Sequence, residues 1–195
     1  MSYQPRILSF AGSAREGSYN KKLVKIAAAG ARSAGAQVTI LDLKDLPMPL
    51  FGEDFEASLQ PNEEPNAKKF KDLLRSHDGF LISSPENNWA ISALLKNAID
   101  WASRRRPDEK PLECFADKVV VLMSASPGPY GGIRALPQVA MQLRNLRCIV
   151  LPDQVCLGKA AEAFNDDGSL KDAKQQASVE QLGARLTTVL AKLKA

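Results

Sequence analysis

The chain has 195 residues, 45% hydrophobic and 25% charged, with a net charge of +4, the balance of one α/β-sized folded domain rather than a disordered chain. No apolar run nears the ~20 residues that a membrane helix needs, and the start, Met-Ser-Tyr-Gln-Pro-Arg, lacks the apolar stretch of a signal peptide. Three cysteines, Cys114, Cys148 and Cys156, form no CxxC pair, and an odd, sparse set fits a reducing cytoplasm.

In chain order, Arg6 to Ala11 reads as a short buried strand, and Asn20 to Ala34 as a helix with Leu23, Ile26, Ala27 and Ala31 on one face. Gly35 supplies a stop, and Gln37 to Leu43 is a second strand. A Pro-containing stretch follows, with Pro47, Pro49, Pro61 and Pro65; its acidic part, Gly52 to Pro65, reads as a surface loop, either a plain connection or a lid. Asn66 to Ser76 is helical, Gly79 to Ser84 is a third strand, and Ile91 to Arg104 is a helix with Ile91, Leu94, Leu95, Ala98 and Trp101 on one face. Its basic end, Arg104-Arg105-Arg106, followed by Pro107-Asp108-Glu109, suits a solvated helix terminus or an anion. No nucleic-acid motif accompanies it. Lys118 to Met123 is a fourth strand, Ile133 to Leu146 a helix, Cys148 to Leu151 a fifth strand, and Leu170 to Lys194 a final helix.

Wholly apolar strands that alternate with helices imply a parallel sheet covered on both faces. For five strands with right-handed crossovers, the flavodoxin-like order 2-1-3-4-5 is favoured, as one domain over residues 1–195. Ligands in such a sheet bind beyond the carboxyl ends of the strands, at the switch point between strands one and three. Three polar loops converge there: Gly12–Tyr19, Ser84–Ala90 and Ser124–Gly132.

The first loop reads G-S-A-R-E-G-S-Y-N from Gly12 to Asn20. It precedes a helix N-terminus, whose N–H groups and dipole suit phosphate. Ser13 and Ser18 add hydroxyls, Arg15 a guanidinium fork and Asn20 an amide. A triphosphate loop would need Lys-Ser/Thr where Ser18-Tyr19 stand, and Lys21 comes three residues late. The loop therefore suits one terminal phosphate without metal, while Ser18 also fits a helix cap. In the second loop, Pro85-Glu86-Asn87-Asn88-Trp89 offers amides for a polar heterocycle. Glu86 fits either a ligand contact or a solvated turn, and Trp89 either a stacking ring or a packing one. In the third, Ser126 and Gly128 precede Gly131-Gly132; glycine allows close approach to a ligand, or serves the turn alone. The dinucleotide fingerprint G-x-G-x-x-G is absent.

Together these loops resemble the NADPH-dependent FMN reductase family, which includes quinone, azo and chromate reductases. The family motif G-S-x-R-x-x-S-x-N matches Gly12, Ser13, Arg15, Ser18 and Asn20. P-E-Y-N followed by L-K-N-A-I-D-W matches Pro85, Glu86 and Asn88, then Leu95 to Trp101, and G-x-x-G-G-x-R matches Gly128, Gly131, Gly132 and Arg134. The resemblance spans Arg6 to about Leu151. It implies that Ser13, Arg15, Ser18, Tyr19 and Asn20 hold an FMN phosphate, that Pro85 to Trp89 border the isoalloxazine, and that Ser126 and Gly128 complete the pocket. The chain departs from the family at Asn87, where the family has Tyr.

The implied chemistry is hydride transfer from NADPH or NADH to flavin and on to a small-molecule acceptor such as a quinone, free flavin, azo compound or metal oxyanion. The cofactor carries that chemistry, so no side chain is assigned a catalytic role and no metal is expected. This agrees with a single histidine, His77, placed before strand three, away from the ligand loops. Neither a G-x-S-x-G elbow nor a Cys-x5-Arg loop is present. The family further implies a homodimer or homotetramer in which a neighbour's residues border the flavin, while the sequence itself suggests a cytoplasmic protein with no nucleic acid or membrane partner. The helix ending at Arg104, with its aromatic and basic end, is a candidate interface. Two other readings are a non-catalytic FMN electron carrier, although flavodoxins are typically acidic, and a flavin-free module that binds a phosphorylated ligand or a protein.

Overall fold

The structure is a computed structural model that describes residues 3–59, 64–106 and 109–194. Pro61, Pro107 and Asp108 of the loops named above lie outside these residues. In chain order the elements are β1 (Arg6–Ala11), α1 (Tyr19–Ser33), β2 (Gln37–Asp42), a 3-10 turn (Leu43–Asp45), α2 (Glu53–Ser58), α3 (Pro65–Ser76) and β3 (Gly79–Ser83). There follow β4 (Glu86–Asn87), β5 (Ala90–Ile91), α4 (Ala93–Ser103), β6 (Val119–Ala125), α5 (Ala135–Asn145), β7 (Ile149–Leu157), α6 (Ala160–Ala163) and α7 (Ala173–Leu193).

Five strands form one parallel sheet in the order β2-β1-β3-β6-β7, the flavodoxin-like order expected. Successive side chains on a strand point to opposite faces, and the core divides accordingly. On one face Ile7, Leu81, Val119, Val121 and Met123 pack with Leu23 and Ala27 of α1 and Leu182 and Leu186 of α7. On the other, Leu8, Phe10, Phe80, Ile82, Val120 and Leu122 pack with Phe70, Leu95, Leu136 and Val139 from α3, α4 and α5. β3 and β6 are buried along their whole length, because they lie inside the sheet between two helical layers. β2, at the edge, is half-buried.

The fifth strand extends beyond the expected Leu151. Val119 and Val120 pair with Ile149 and Val150, but Leu122 pairs with Gln154, so the register shifts and β7 runs on to Leu157. Pro152 has no N–H to give to a ladder, and the irregularity accommodates it. The acidic segment after Gly52 contains the short helix α2, with Glu53, Asp54 and Glu56 in its first turn. The final helix begins at Ala173, where Asp172 caps it by accepting from Lys174 N and Gln175 N at 2.8 and 3.0 Å.

The expected aromatic and basic end of α4 is not open. Trp101 is 4% exposed; its Nε1–H donates to Pro49 O at 2.8 Å, and Phe51 meets it edge-on at 5.3 Å. Asn97 donates to Pro49 O and accepts from Phe51 N, at 2.9 and 2.8 Å. The Leu95–Trp101 motif thus fastens the Pro-rich stretch to α4. Arg104 pairs with Glu56 at 2.7 Å, and Arg105 Nε donates to Glu109 O at 2.9 Å. Two of the three arginines therefore fold onto neighbouring groups of the chain.

Candidate functional site

A cleft of about 560 Å³ opens beyond the carboxyl ends of β1, β3 and β6, at the switch point. Gly12, Ser13, Ala14, Arg15, Ser18, Tyr19 and Asn20 line one side; Pro85, Glu86, Asn87, Ser92, Ala93 and Leu94 another; Ala125, Ser126 and Pro127 a third. Of the residues expected at the site, Ser13, Arg15, Ser18, Tyr19, Asn20, Pro85, Glu86, Asn87 and Ser126 line it, whereas Asn88, Trp89 and Gly128 do not.

The first loop leaves β1 through Gly12, whose N–H donates to Ser83 O at 2.9 Å. A Cβ at Gly12 would lie 2.8 Å from Leu95 Cβ, so glycine is required by the approach of α4. Ser92 closes this corner: its Oγ donates to Gly12 O at 2.6 Å and accepts from Leu95 N at 3.2 Å, capping α4. Ser18 caps α1 by accepting from Lys21 N at 3.3 Å. The first N–H groups of a helix have no intrahelical acceptor, and those of α1 begin beside Ser18 on this wall. Lys21 pairs with Asp42 at 2.5 Å, and burial of Asp42 is outweighed by this ammonium, which holds its carboxyl below the usual range. The lysine that stands three places late for a triphosphate loop is therefore committed to β2.

Asn20 has a different task from that expected. It is 4% exposed, its amide donates to Ala125 O at 2.8 Å, and its oxygen accepts from Ser83 Oγ and Ala125 N at 2.8 and 3.0 Å. One side chain thus ties the start of α1 to the ends of β3 and β6. Ser13 and Arg15 remain as polar groups on the open side of the loop, half-buried and exposed respectively.

Glu86 is neither a solvated turn carboxylate nor wholly available to a ligand. Its Oε2 accepts from Arg134 N and Ala135 N at 2.9 and 3.0 Å, and its Oε1 lies 3.8 Å from the Arg134 guanidinium. α5 has no side-chain cap of its own, so Glu86 supplies one from the second loop, where a carboxylate complements the helix dipole. The third loop fits beneath through two glycines. Gly131 and Gly132 have φ of +62° and +86°, and a Cβ on Gly132 would fall 1.9 Å from Ser124 Oγ.

Asn88 and Trp89 form the two-residue turn of the β4–β5 hairpin, both with positive φ (50° and 65°), the turn geometry that hairpins favour. That turn carries the Trp89 ring away from the cleft and onto Arg134, whose guanidinium carbon lies 4.2 Å from its centre and 4.5 Å from that of Tyr130. Gly128 faces the other way: its carbonyl accepts from Lys159 N at 3.0 Å. His77 lies at the opposite end of the sheet, with Nδ1 2.7 Å from Leu73 O and Nε2 2.8 Å from Thr39 Oγ1. Burial lowers its pKa. Burial pushes the Cys114 and Cys148 thiols up to about 11 and about 12, so neither is a thiolate near neutrality.

The sequence reading missed Ser92, Ala93 and Leu94. The signal for Ser92 was present: a serine directly before an apolar helical run is a cap, and a cap at a strand-to-helix corner of this fold borders the switch point.

Comparison with known proteins agrees with this geometry. The model of the NADPH-dependent FMN reductase family matches residues 5–162. An NAD(P)H-dependent FMN reductase of Pseudomonas aeruginosa is 34% identical over 182 residues, 93% of this chain and 92% of its own. A quinone reductase of Pseudomonas putida is 36% identical over 163 residues, 83% and 82% of the two chains. In structure, the chain superposes on FerB, a flavoenzyme NAD(P)H:(acceptor) oxidoreductase of Paracoccus denitrificans, with a TM-score of 0.80 at 23% identity, covering 96% and 98% of the two chains. A three-loop cleft with a phosphate-type helix start and a family match over its whole extent lead to one assignment: the chain belongs to the NADPH-dependent FMN reductase family.

Proposed function

We propose that this protein is an NAD(P)H-dependent FMN oxidoreductase that passes reducing equivalents to a small electron acceptor of the quinone class. The observation that carries the reading is the cleft at the switch point, built from all three polar loops. Its volume of about 560 Å³ falls within the ~300–1,000 Å³ of small-molecule and cofactor sites. Its donors are unevenly placed, with serines, a guanidinium and a helix start on one side and the amide of Asn87 on another. This polarity fits a ligand with a phosphate at one end and a polar heterocycle at the other.

In this reading Ser13, Arg15, Ser18 and the first N–H groups of α1 hold the phosphate, with Tyr19 beneath Arg15. Pro85, Asn87 and Ser126 border the flavin ring. Asn20, Glu86 and Ser92 hold the three loops in register, so the donors need no reorganisation when ligand arrives. Bound FMN supplies the hydride chemistry that no side chain of the cleft provides. Asn87 stands where the family motif has Tyr, so the ring side of the cleft carries a smaller, polar side chain at this place.

We read residues 1–195 as one FMN-binding domain, working in the cytoplasm. Buried thiols fit a reducing compartment, and among the described residues no helix is long and apolar enough to cross a membrane. A homodimer or homotetramer is favoured by the exposed Trp89, Tyr130, Ile133 and Met141, since clustered exposed apolar groups mark interaction surfaces. The test is to load the protein with FMN, remove the excess and add NADPH without oxygen. Rapid loss of the oxidised-flavin band supports a reductase. A retained flavin that stays yellow indicates a carrier fed by another enzyme.

A further inference from the structure

We infer that Phe164, beyond the matched family region of residues 5–162, positions the phosphate-binding arm of the cleft and so sets its preference for phosphorylated flavin. The inference rests on the FMN reading given above and extends it to a residue outside the cleft wall.

The Tyr19 and Phe164 rings are stacked, with centres 6.0 Å apart and planes 7° from parallel. The Arg15 guanidinium carbon lies 4.9 Å from the centre of Tyr19, and Lys22 Nζ lies 5.4 Å from that of Phe164. Four side chains thus form a cation–ring–ring–cation ladder. Its outer rung, Arg15, is exposed and belongs to the cleft, whereas its inner ring, Phe164, is 8% exposed and part of the core. Long exposed side chains lose considerable rotamer freedom when they are ordered. An arginine already seated on a ring has lost part of that freedom before a phosphate arrives.

Phe164 itself is held rigidly. It ends α6 in an extended conformation and forms an antiparallel bridge with Leu170. Asn165 N donates to Ser169 O at 2.8 Å and Lys171 N to Ala163 O at 2.9 Å, closing a tight turn. Phe164 packs in the same core cluster as Val24, Leu157 and Leu170, against which Tyr19 also rests. The order of Arg15 is therefore transmitted from the core, through two rings, to the open loop. Without the inner ring, Tyr19 loses one stacked face and Arg15 its fixed seat, while the ring side of the cleft is untouched.

The test compares FMN with riboflavin, which differ by the phosphate alone. Apo protein is titrated with each by flavin fluorescence, for the wild type, Phe164→Leu, Phe164→Met and Phe164→Tyr. Leu and Met keep apolar volume in the core without a ring; Met serves where Leu proves unstable. An aromatic pair of this kind is worth a factor of about two to twelve in an equilibrium constant, which is the upper bound on the change passed to FMN affinity through Arg15. FMN should bind Leu and Met variants more weakly, within that bound, riboflavin should bind them as it binds wild type, and Tyr should restore FMN binding. An equal loss for both flavins means loosened packing and overturns the inference, as does unchanged FMN affinity. If wild type itself shows no preference for FMN over riboflavin, the phosphate-site reading fails first, which separates the two failures.

Discussion

Replacing Glu86 by Ala tests whether the cleft is held together by its own polar side chains. The Arg134 N–H loses its acceptor at 2.9 Å, and the Ala135 N–H loses the one at 3.0 Å and keeps only Gly132 O at 3.2 Å. Ala135 is fully buried and the Glu86 side chain is only 12% exposed, so water replaces the carboxylate poorly. Hydrogen bonds to a charged group contribute about 1.5–3 kcal/mol each, but the two share one oxygen and the Arg134 side is partly wet. A loss of about 2–3 kcal/mol is therefore expected, including the lost complement to the α5 dipole. In a chain of this size each kcal/mol shifts Tm by about 2–4 °C, so apo Glu86→Ala should melt about 5–10 °C lower by circular dichroism. Glu86→Gln keeps a neutral acceptor and should lose about 1 kcal/mol. Should Glu86→Ala unfold within about 0.5 kcal/mol of wild type in urea, the carboxylate is a solvated surface group after all. The account of a cleft clamped from loop two to α5 then has to be abandoned.

Three further outcomes are expected. Gly132→Ala places a Cβ 1.9 Å from Ser124 Oγ at a φ of +86°; it should lose about 2 kcal/mol or more and FMN retention, read by calorimetry and by flavin released on gel filtration. With Cys114 and Cys148 raised to about 11 and about 12 and Cys156 raised by burial and by Glu86, native protein at pH 8 should react with Ellman's reagent far more slowly than unfolded protein. Equal rates would show that the thiols are open. Burial lowers the His77 pKa in the fold, so the unfolded chain takes up its proton first, near pH 6.5. The His77 contribution is thus complete above about pH 6.5 and is lost as pH falls through the lower folded value; the pH dependence of Tm over this window should flatten in His77→Gln.

The sheet was legible because its strands are apolar on both sides. Phe80-Leu81-Ile82 and Val119-Val120-Val121-Leu122 have no polar face to offer water, so helices must cover both, and parallel order follows from the alternation. What escaped was set by tertiary contacts. Pro152 ends a strand in sequence, yet β7 passes it because the register shift to Gln154 takes up the missing donor. The β4–β5 hairpin escaped because Asn88-Trp89 carries positive φ without the usual glycine; Gln138 Nε2, donating to Trp89 O at 2.7 Å, helps to hold it. Trp101 reads as an exposed helix-end aromatic until Pro49 and Phe51 are placed upon it.

The candidate site shows a sharper limit of the same kind. A sequence counts donors in a loop but not where each is committed. Asn20 and Glu86 stand in the right loops with the right chemistry, and both are engaged by the protein's own backbone. Their loops follow two different strands, β1 and β3, and each side chain reaches a third element, Asn20 the end of β6 at Ala125 and Glu86 the start of α5. Removing either should therefore alter the shape of the site before it alters any contact with ligand. The groups left facing outward, Ser13, Arg15, Asn87 and Ser126 with the start of α1, form a smaller set than the motif. Affinity for the phosphate end depends on how well that smaller set is held in place. The loop residues that the sequence marks as binding are thus divided between holding the site and meeting the ligand, and only hydrogen-bond partners tell the two apart.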